Sequence, residues 1–222
     1  GHLPGFKVVL PLPEDRDAWY KWLAKKGHDI SDRSKFLEGS EGIEIPSGRG
    51  ETWPPSPYER DETETAFVIE EVISHLENLP EPWFLHVSIL RPHPPFVVPA
   101  PYNDLYDPAE VSEPIAFSES DHPFIDSLSK IDFFKAPSTS IDRRQLKATY
   151  YGMVTEVDDQ IGRLTNYLHE KGLEENTILL VTSDHGEYLG DHGLISKFGF
   201  HDQAFHIPMI IRYPALQGPE GL

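Results

Sequence analysis

Cysteine is absent from this chain of 222 residues, and long apolar runs and positive charge are scarce. Without cysteine the chain can hold no disulfide, no thiolate metal site and no cysteine nucleophile of its own. No apolar run approaches the roughly 18–20 residues that cross a bilayer, so we expect no transmembrane helix and no membrane partner. Lysine and arginine number 19 against 37 aspartates and glutamates, a formal charge of −18. That excess of acid argues against nucleic acid as a partner, because phosphate backbones are bound by basic surfaces.

What remains is the composition of a folded globular protein. Hydrophobic residues make up 38% of the chain and charged residues 25%, which is too apolar for a disordered chain. The length allows one large domain or two small ones.

Two segments have the periodicity of amphipathic helices. The first follows a cap at Thr63 or Thr65 and keeps apolar residues at helical spacing until Pro80. A longer helix is predicted from a cap at Ser140 to a stop at Gly172.

Three short apolar runs are typical of strands, and the first two are typical of buried strands: residues 83–90 (WFLHVSIL), 178–183 (ILLVTS) and 207–211 (IPMII). Helices and strands alternate, which predicts an α/β sheet with helices on its faces. In such sheets the ligands bind where the carboxyl ends of the strands meet. Since the first two runs lead into His93 and Asp184, we expect the loops that hold these residues to meet.

The polar residues that follow these strands have side chains that could bind a metal ion or a substrate, or donate a proton. Asp184 offers carboxylate oxygen and His185 imidazole nitrogen, both ligands of divalent cations, and Gly186 could let the backbone turn so that both side chains converge. Lys197 could pair with an anionic substrate oxygen. His93 lies among three prolines, and because the ordinary pKa of a histidine side chain is close to neutral pH, a residue of this type could protonate a leaving group. Each has an ordinary alternative: a solvated Asp-His turn, a surface lysine, and a histidine that fills a turn.

Longer motifs decide between these interpretations. Residues 181–193 (VTSDHGEYLGDHG), Lys197 and residues 206–211 (HIPMII) resemble the carboxy-terminal core signature of the sulfatase family. Residues 91–96 (RPHPPF) resemble the Pro-His-x-Pro loop of that family. Residues 102–108 (YNDLYDP) are similar to the segment that follows this loop in phosphonate monoester hydrolases and their sulfatase relatives.

The resemblance is clearest over residues 63–215, and we identify residues 1–222 as a single partial sulfatase-like domain. It implies an alkaline-phosphatase-like α/β core with a mixed or mostly parallel sheet flanked by helices, incomplete in this chain. It also implies metal-dependent hydrolysis of sulfate esters. The alternatives are a phosphonate monoester or phosphodiester hydrolase of the same family, and a non-catalytic member used for binding or assembly. His185 stands where many sulfatases have asparagine, which favours the phosphonate-hydrolase, choline-sulfatase and iduronate-sulfatase side of the family.

The resemblance also implies roles for single residues. Asp184 and His185 would be two ligands of one divalent metal, which could be Ca, Mg, Mn or Zn. Lys197 would contact the sulfuryl or phosphoryl oxygens. His93 would lie near the scissile oxygen and help the leaving group depart. The expected partner is a small anionic ester.

The family nucleophile is missing from the sequence. It is a formylglycine made from cysteine or serine in a Cys/Ser-x-Pro/Ala-x-Arg motif. The serine motifs that begin at Ser56 and Ser140 carry Tyr58 and Asp142 in place of the proline or alanine. We therefore expect the nucleophile, and the acidic pair that completes the metal site, upstream of Gly1, and we expect the chain alone to be inactive. We also expect uncovered apolar strand edges, through which copies could form a homo-oligomer.

Overall fold

A computed structural model describes residue 7 and residues 16–36, 55–118 and 123–215. The helices in these ranges are α1 (Asp17–Lys25), α2 (Glu64–Leu76), α3 (Pro123–Leu128), α4 (Ser140–Glu170) and α5 (Asp202–Phe205). The strands are β1 (Leu179–Thr182) and β2 (Met209–Arg212). Short 3₁₀ turns cover Arg33–Phe36, Tyr102–Asp104, Asp132–Phe134, Glu174–Asn176 and Asp191–Gly193. Within these ranges, none of the helices combines the length and apolar character that crossing a bilayer requires.

Helix α2 begins at one of its two predicted caps. The Thr63 side chain accepts a hydrogen bond from the Ala66 N–H at 2.9 Å, which satisfies one of the free donors of the first turn. Thr65 is instead buried inside the helix, and its hydroxyl donates to the Glu156 carboxylate at 3.0 Å. The helix ends at Leu76, with Glu77 as its C-cap, so its predicted continuation to Pro80 was wrong by three residues.

Helix α4 begins one residue away from its predicted cap. The cap is Thr139, whose side chain accepts the Asp142 N–H at 3.2 Å, so the assignment of Ser140 as the cap was wrong. The helix then runs for 31 residues. Its end is as predicted, because Gly172 adopts a left-handed conformation (φ +68°) that stops the helix.

Apolar clusters hold these helices together. In the α2–α4 cluster, the buried members are Ile69, Leu76, Leu164 and Leu168. The α4–Tyr102 cluster joins the first half of α4 to residues 96–102, and its buried members are Phe96, Val98, Tyr102, Leu146, Met153 and Ile195. A further cluster lies beneath the loop after β1, with buried members Ile125, Leu128, Tyr188, Leu194 and Ala204. The long helix is therefore the element that most of the structure packs against.

Strands β1 and β2 pair antiparallel, with Leu179 opposite Arg212 and Thr182 opposite Met209. The prediction that β1 is a buried strand was wrong. β1 alternates between half-buried and exposed residues, and Leu180 is 52% exposed. All four residues of β2 are exposed. Because the described residues place no layer over β2, the expected uncovered apolar strand is present there.

Residues 83–90 were predicted to form a strand and do not form one. They make no ladder with another strand among the described residues. Trp83, Leu85 and Ile89 pack against the α2–α4 cluster, whereas Phe84 between them is 75% exposed. The alternation of a strand is present, but a strand also needs a hydrogen-bonded neighbour.

Candidate active site

The loop after β1 and the loop around His93 meet at His185. The ring centroids of His93 and His185 lie 6.4 Å apart. The Lys197 Nζ lies 2.8 Å from His185 Nε2, and an Asp184 carboxylate oxygen lies 3.6 Å from the same nitrogen. The structure therefore brings together all four residues that the sequence singled out.

The hydrogen bonds of His185 fix its tautomer. Its Nδ1 lies 2.8 Å from the Gly186 carbonyl oxygen, which can only accept, so Nδ1 carries the proton. Its Nε2 faces the Lys197 ammonium, which can only donate, so Nε2 presents its lone pair. An imidazole whose N–H is held by a backbone carbonyl and whose other nitrogen presents its lone pair has the tautomer that metal-binding histidines use.

These donors fit part of a divalent metal site. Two ligand atoms that share an ion, each about 2.1 Å from it, lie about 3–3.5 Å apart, and the Asp184 and His185 donor atoms are separated by 3.6 Å. A cation, the Lys197 ammonium, already lies at the imidazole nitrogen. Asp184 is 87% exposed, so its oxygens are accessible. No group of three or more His, Cys, Asp or Glu side chains in the described ranges could hold a metal, so these two residues fit half of a site.

The Arg91 side chain is hydrogen-bonded to the backbone of the loop that contains His93. Its guanidinium donates to the Pro95 carbonyl oxygen and, at 3.3 Å, to the His93 carbonyl oxygen. The His93 Nδ1 donates to the Pro94 carbonyl oxygen at 2.8 Å, which leaves Nε2 as the atom that can exchange a proton with a ligand. Arg91 was quoted within the motif but was given no role from the sequence.

Glu187 lies inside the loop after β1, and sequence reasoning missed it. Its carboxylate accepts the backbone N–H of Ser196 and, at 3.5 Å, the N–H of Leu189. Burial raises the pKa of the Glu187 carboxyl, while these N–H groups oppose the shift. One signal in the sequence was the position of Glu187 directly after Asp184-His185-Gly186. Residue type alone, however, does not distinguish a glutamate that binds backbone N–H groups of its loop from a solvated one.

Gly186 is required for a reason other than the predicted one. It is not in the left-handed region; instead, a Cβ added there would lie 3.0 Å from the Gln203 carbonyl carbon and closer still to its oxygen. The Gly186 N–H also donates to the Ala204 carbonyl oxygen at 2.8 Å. The glycine therefore lets α5 approach the backbone beside His185.

Two further histidines stack on the far side of this loop. The rings of His192 and His201 lie 3.9 Å apart at an angle of 7°, and the His201 Nδ1 is hydrogen-bonded to the Tyr188 hydroxyl at 2.9 Å. Burial, followed by the neighbouring His192, lowers the pKa of His201.

Comparison with known proteins shows which protein family the chain is similar to. The Sulfatase family model matches residues 16–220. The multifunctional alkaline phosphatase superfamily protein PehA of Trinickia caryophylli is 34% identical over 230 residues, which cover 95% of this chain and 44% of that protein. An arylsulfatase of Clostridium perfringens is 31% identical over 214 residues, which cover 94% of this chain and 43% of that protein.

Comparison of the fold with solved structures points to the same group of hydrolases. The crystal structure of the phosphonate monoester hydrolase of Agrobacterium radiobacter superimposes with a TM-score of 0.80 at 37% identity, over 96% of this chain and 45% of that chain. The expected alkaline-phosphatase-like α/β core is thereby confirmed as a partial one, and the antiparallel β1–β2 pair is the sheet that the described residues form. The chain spans less than half the length of these relatives. By its family model, its relatives and its fold, the chain belongs to the sulfatase family.

Proposed function

We propose that His93, Asp184, His185 and Lys197 form part of the active site of a metal-dependent sulfuric ester hydrolase that acts on small anionic esters. The observation that carries this proposal is their convergence on the His185 imidazole from two loops that are distant in sequence. The similarity to an arylsulfatase supports the same reaction class.

Two of these residues would act on the substrate directly. Lys197 would bind the sulfuryl oxygens, since its ammonium is one of few cations in a chain with a formal charge of −18. His93 would hold a proton at Nε2 and give it to the departing ester oxygen, because Nδ1 is already committed to a backbone carbonyl.

Asp184 and His185 would hold one divalent cation, whose identity among Ca, Mg, Mn and Zn the two donors do not select. When bound, that cation would polarise the ester oxygens as a Lewis acid. The remaining ligands and the formylglycine nucleophile would come from polypeptide outside these residues. The chain alone would accordingly bind neither metal nor substrate well enough to turn over.

A second candidate is hydrolysis of phosphonate monoesters or phosphodiesters. One observation favours it: the similarity to a phosphonate monoester hydrolase at a TM-score of 0.80. Sulfate and phosphonate esters present similar oxygens to Lys197, so the described residues would serve either reaction.

The test uses the chain within the complete reading frame of its source gene. We expect the purified product to hydrolyse 4-nitrophenyl sulfate or a 4-nitrophenyl phosphonate ester, and the ratio of kcat/KM values decides between the two candidates. Lys197→Ala should lower kcat/KM by about 10²–10³-fold, whereas Lys171→Ala, an exposed lysine at the end of α4, should leave it unchanged. An equal loss in both variants would contradict the assignment of Lys197.

The role of His93 has its own signature. We expect His93→Ala to lower kcat by about 10²–10⁴-fold for an ester of a poorly acidic alcohol, and by much less for 4-nitrophenol, which leaves without protonation. The same loss for both leaving groups would refute proton donation. Absence of turnover by the complete protein with every metal and both esters would favour the non-catalytic interpretation instead.

A further inference from the structure

The loop between Gly186 and Lys197 contains several residues in an unusual conformation. Leu189, His192 and Ser196 all have φ values between +50° and +69°, the left-handed region that residues other than glycine rarely adopt. Such residues keep this conformation only where their surroundings fix it.

One partly buried carboxylate is bonded to two of these three residues. The Glu187 side chain accepts the N–H of Ser196 and the N–H of Leu189. The Ser196 carbonyl oxygen in turn accepts the N–H of Tyr188 at 3.0 Å. Ser196 is thus held on both sides of its Cα by residues 187 and 188, and the loop is closed at its base.

Ser196 directly precedes Lys197, so the backbone direction at Ser196 sets where the lysine side chain starts. From that point the lysine ammonium reaches His185 Nε2 at 2.8 Å. We propose that Glu187 is a positioning residue, which fixes the left-handed Ser196 and thereby places the Lys197 ammonium against His185. The contribution of this placement to catalysis rests on the proposed function, but the placement itself does not.

A merely structural role is the alternative, and the chain offers a matched control for it. Glu156 in α4 is a carboxylate that is more deeply buried than Glu187, and it accepts hydrogen bonds from the hydroxyls of Thr63 and Thr65. Burial raises the pKa of Glu156, as it raises that of Glu187. Its contacts join α4 to α2 rather than to the loop. Loss of either carboxylate should lower stability, whereas only loss of Glu187 should release Lys197.

The experiment measures the contact in the 222-residue chain by nuclear magnetic resonance. The readouts are the nuclear Overhauser effect between the Lys197 Hε protons and the His185 ring, and the ¹⁵N shift of His185 Nε2. Glu187→Gln keeps the length of the side chain and one carbonyl acceptor, and we expect it to retain the contact. Glu187→Asp keeps the charge but withdraws the acceptor by one methylene, and we expect it to lose most of the Overhauser intensity. Glu187→Ala should lose all of it, and if that variant does not fold, the comparison of Gln with Asp still decides.

The control variant Glu156→Ala should lower the urea midpoint and keep the Lys197–His185 contact. The proposal is overturned if Glu187→Asp keeps the contact, or if Glu156→Ala loses it to the same extent. A variant that loses the contact while the complete protein keeps its kcat would refute the role proposed for Lys197 and leave the positioning by Glu187 intact.

Discussion

Two glycines in α4 test how this helix packs against the 3₁₀ turn at Tyr102. Gly152 is buried, and a Cβ added there would lie 3.0 Å from the Tyr102 carbonyl carbon and overlap its oxygen. Gly162 lies ten residues further along the same helix, and an added Cβ would meet no atom within 4 Å. The same substitution, glycine to alanine, therefore has opposite consequences at the two positions.

The magnitudes follow from helix propensity and overpacking. In a helix interior alanine is more stable than glycine by about 0.5–1 kcal/mol, so Gly162→Ala should raise the free energy of unfolding by that amount. At Gly152 the same gain is opposed by an overpacking cost of about 1–3 kcal/mol, at the upper end because backbone rather than a side-chain tip must move. Moving Tyr102 also weakens its 2.6 Å hydrogen bond to Asp159, worth about 1 kcal/mol. Gly152→Ala should therefore lower the free energy of unfolding by about 2–3 kcal/mol.

The assay is urea unfolding followed by tryptophan fluorescence, with the two variants and the parent measured together. We expect the midpoints to move in opposite directions. If Gly152→Ala stabilised the chain as much as Gly162→Ala, the backbone at Tyr102 would not be packed on α4, and the α4–Tyr102 cluster as described would be wrong.

Other substitutions examine the cap, the pH response and the site. Thr139→Ala should cost about 1 kcal/mol of unfolding free energy because it removes the α4 cap, whereas Ser140→Ala should cost less than about 0.5 kcal/mol, both by urea titration. Because burial and His192 lower the pKa of His201 below its ordinary 6.5, the unfolded chain takes up that proton first. The free energy of unfolding, measured by urea titration, should therefore fall as the pH drops below about 6.5. It should fall less in His201→Asn, and an identical pH dependence in the parent and the variant would contradict this prediction. Gly186→Ala should push α5 away from the loop after β1, and we expect this to shift the nuclear magnetic resonance signals of the His185 ring. An unchanged spectrum would refute the close approach of α5 to Gly186.

Features of the fold could be predicted from the sequence where they depend on residues that are close together along the chain. The stop of α4 at Gly172 was correct, because a left-handed glycine ends a helix locally, whereas α2 ends at Leu76, before the Pro80 that was predicted to stop it. The cap of α4 was wrong by one residue, since Thr139 and Ser140 are equally good cap residues and only the backbone geometry selects one. Residues 83–90 show the limit most clearly: their alternation was recognisable, but pairing requires a partner strand that local sequence does not supply.

The candidate site divides in the same way. The residues around Asp184 and the Pro92-His93-Pro94 turn were found from residue type and from their resemblance to family motifs. Their convergence was expected because residues 83–90 were predicted to be a strand of the same sheet, and the two loops meet although these residues form no strand. Glu187 and Arg91 were missed because both act by binding backbone N–H or carbonyl groups, whose directions depend on the fold. The left-handed conformation of Ser196 has no sequence signal, since serine normally avoids it.

The spacing of the site residues along the chain has a consequence for folding order. Asp184, His185 and Lys197 lie within 13 residues, and the hydrogen bonds that close their loop are equally local. His93, by contrast, is 92 residues before His185, and Trp83, Leu85 and Ile89, which precede its loop, pack against the α2–α4 cluster. Because the entropy cost of closing a loop grows with its length, we expect the loop that contains Asp184, His185 and Lys197 to assemble early and His93 to join it last. A partly folded chain would then hold this loop without His93 beside it, and hydrogen exchange should resolve the two parts as separate cooperative units.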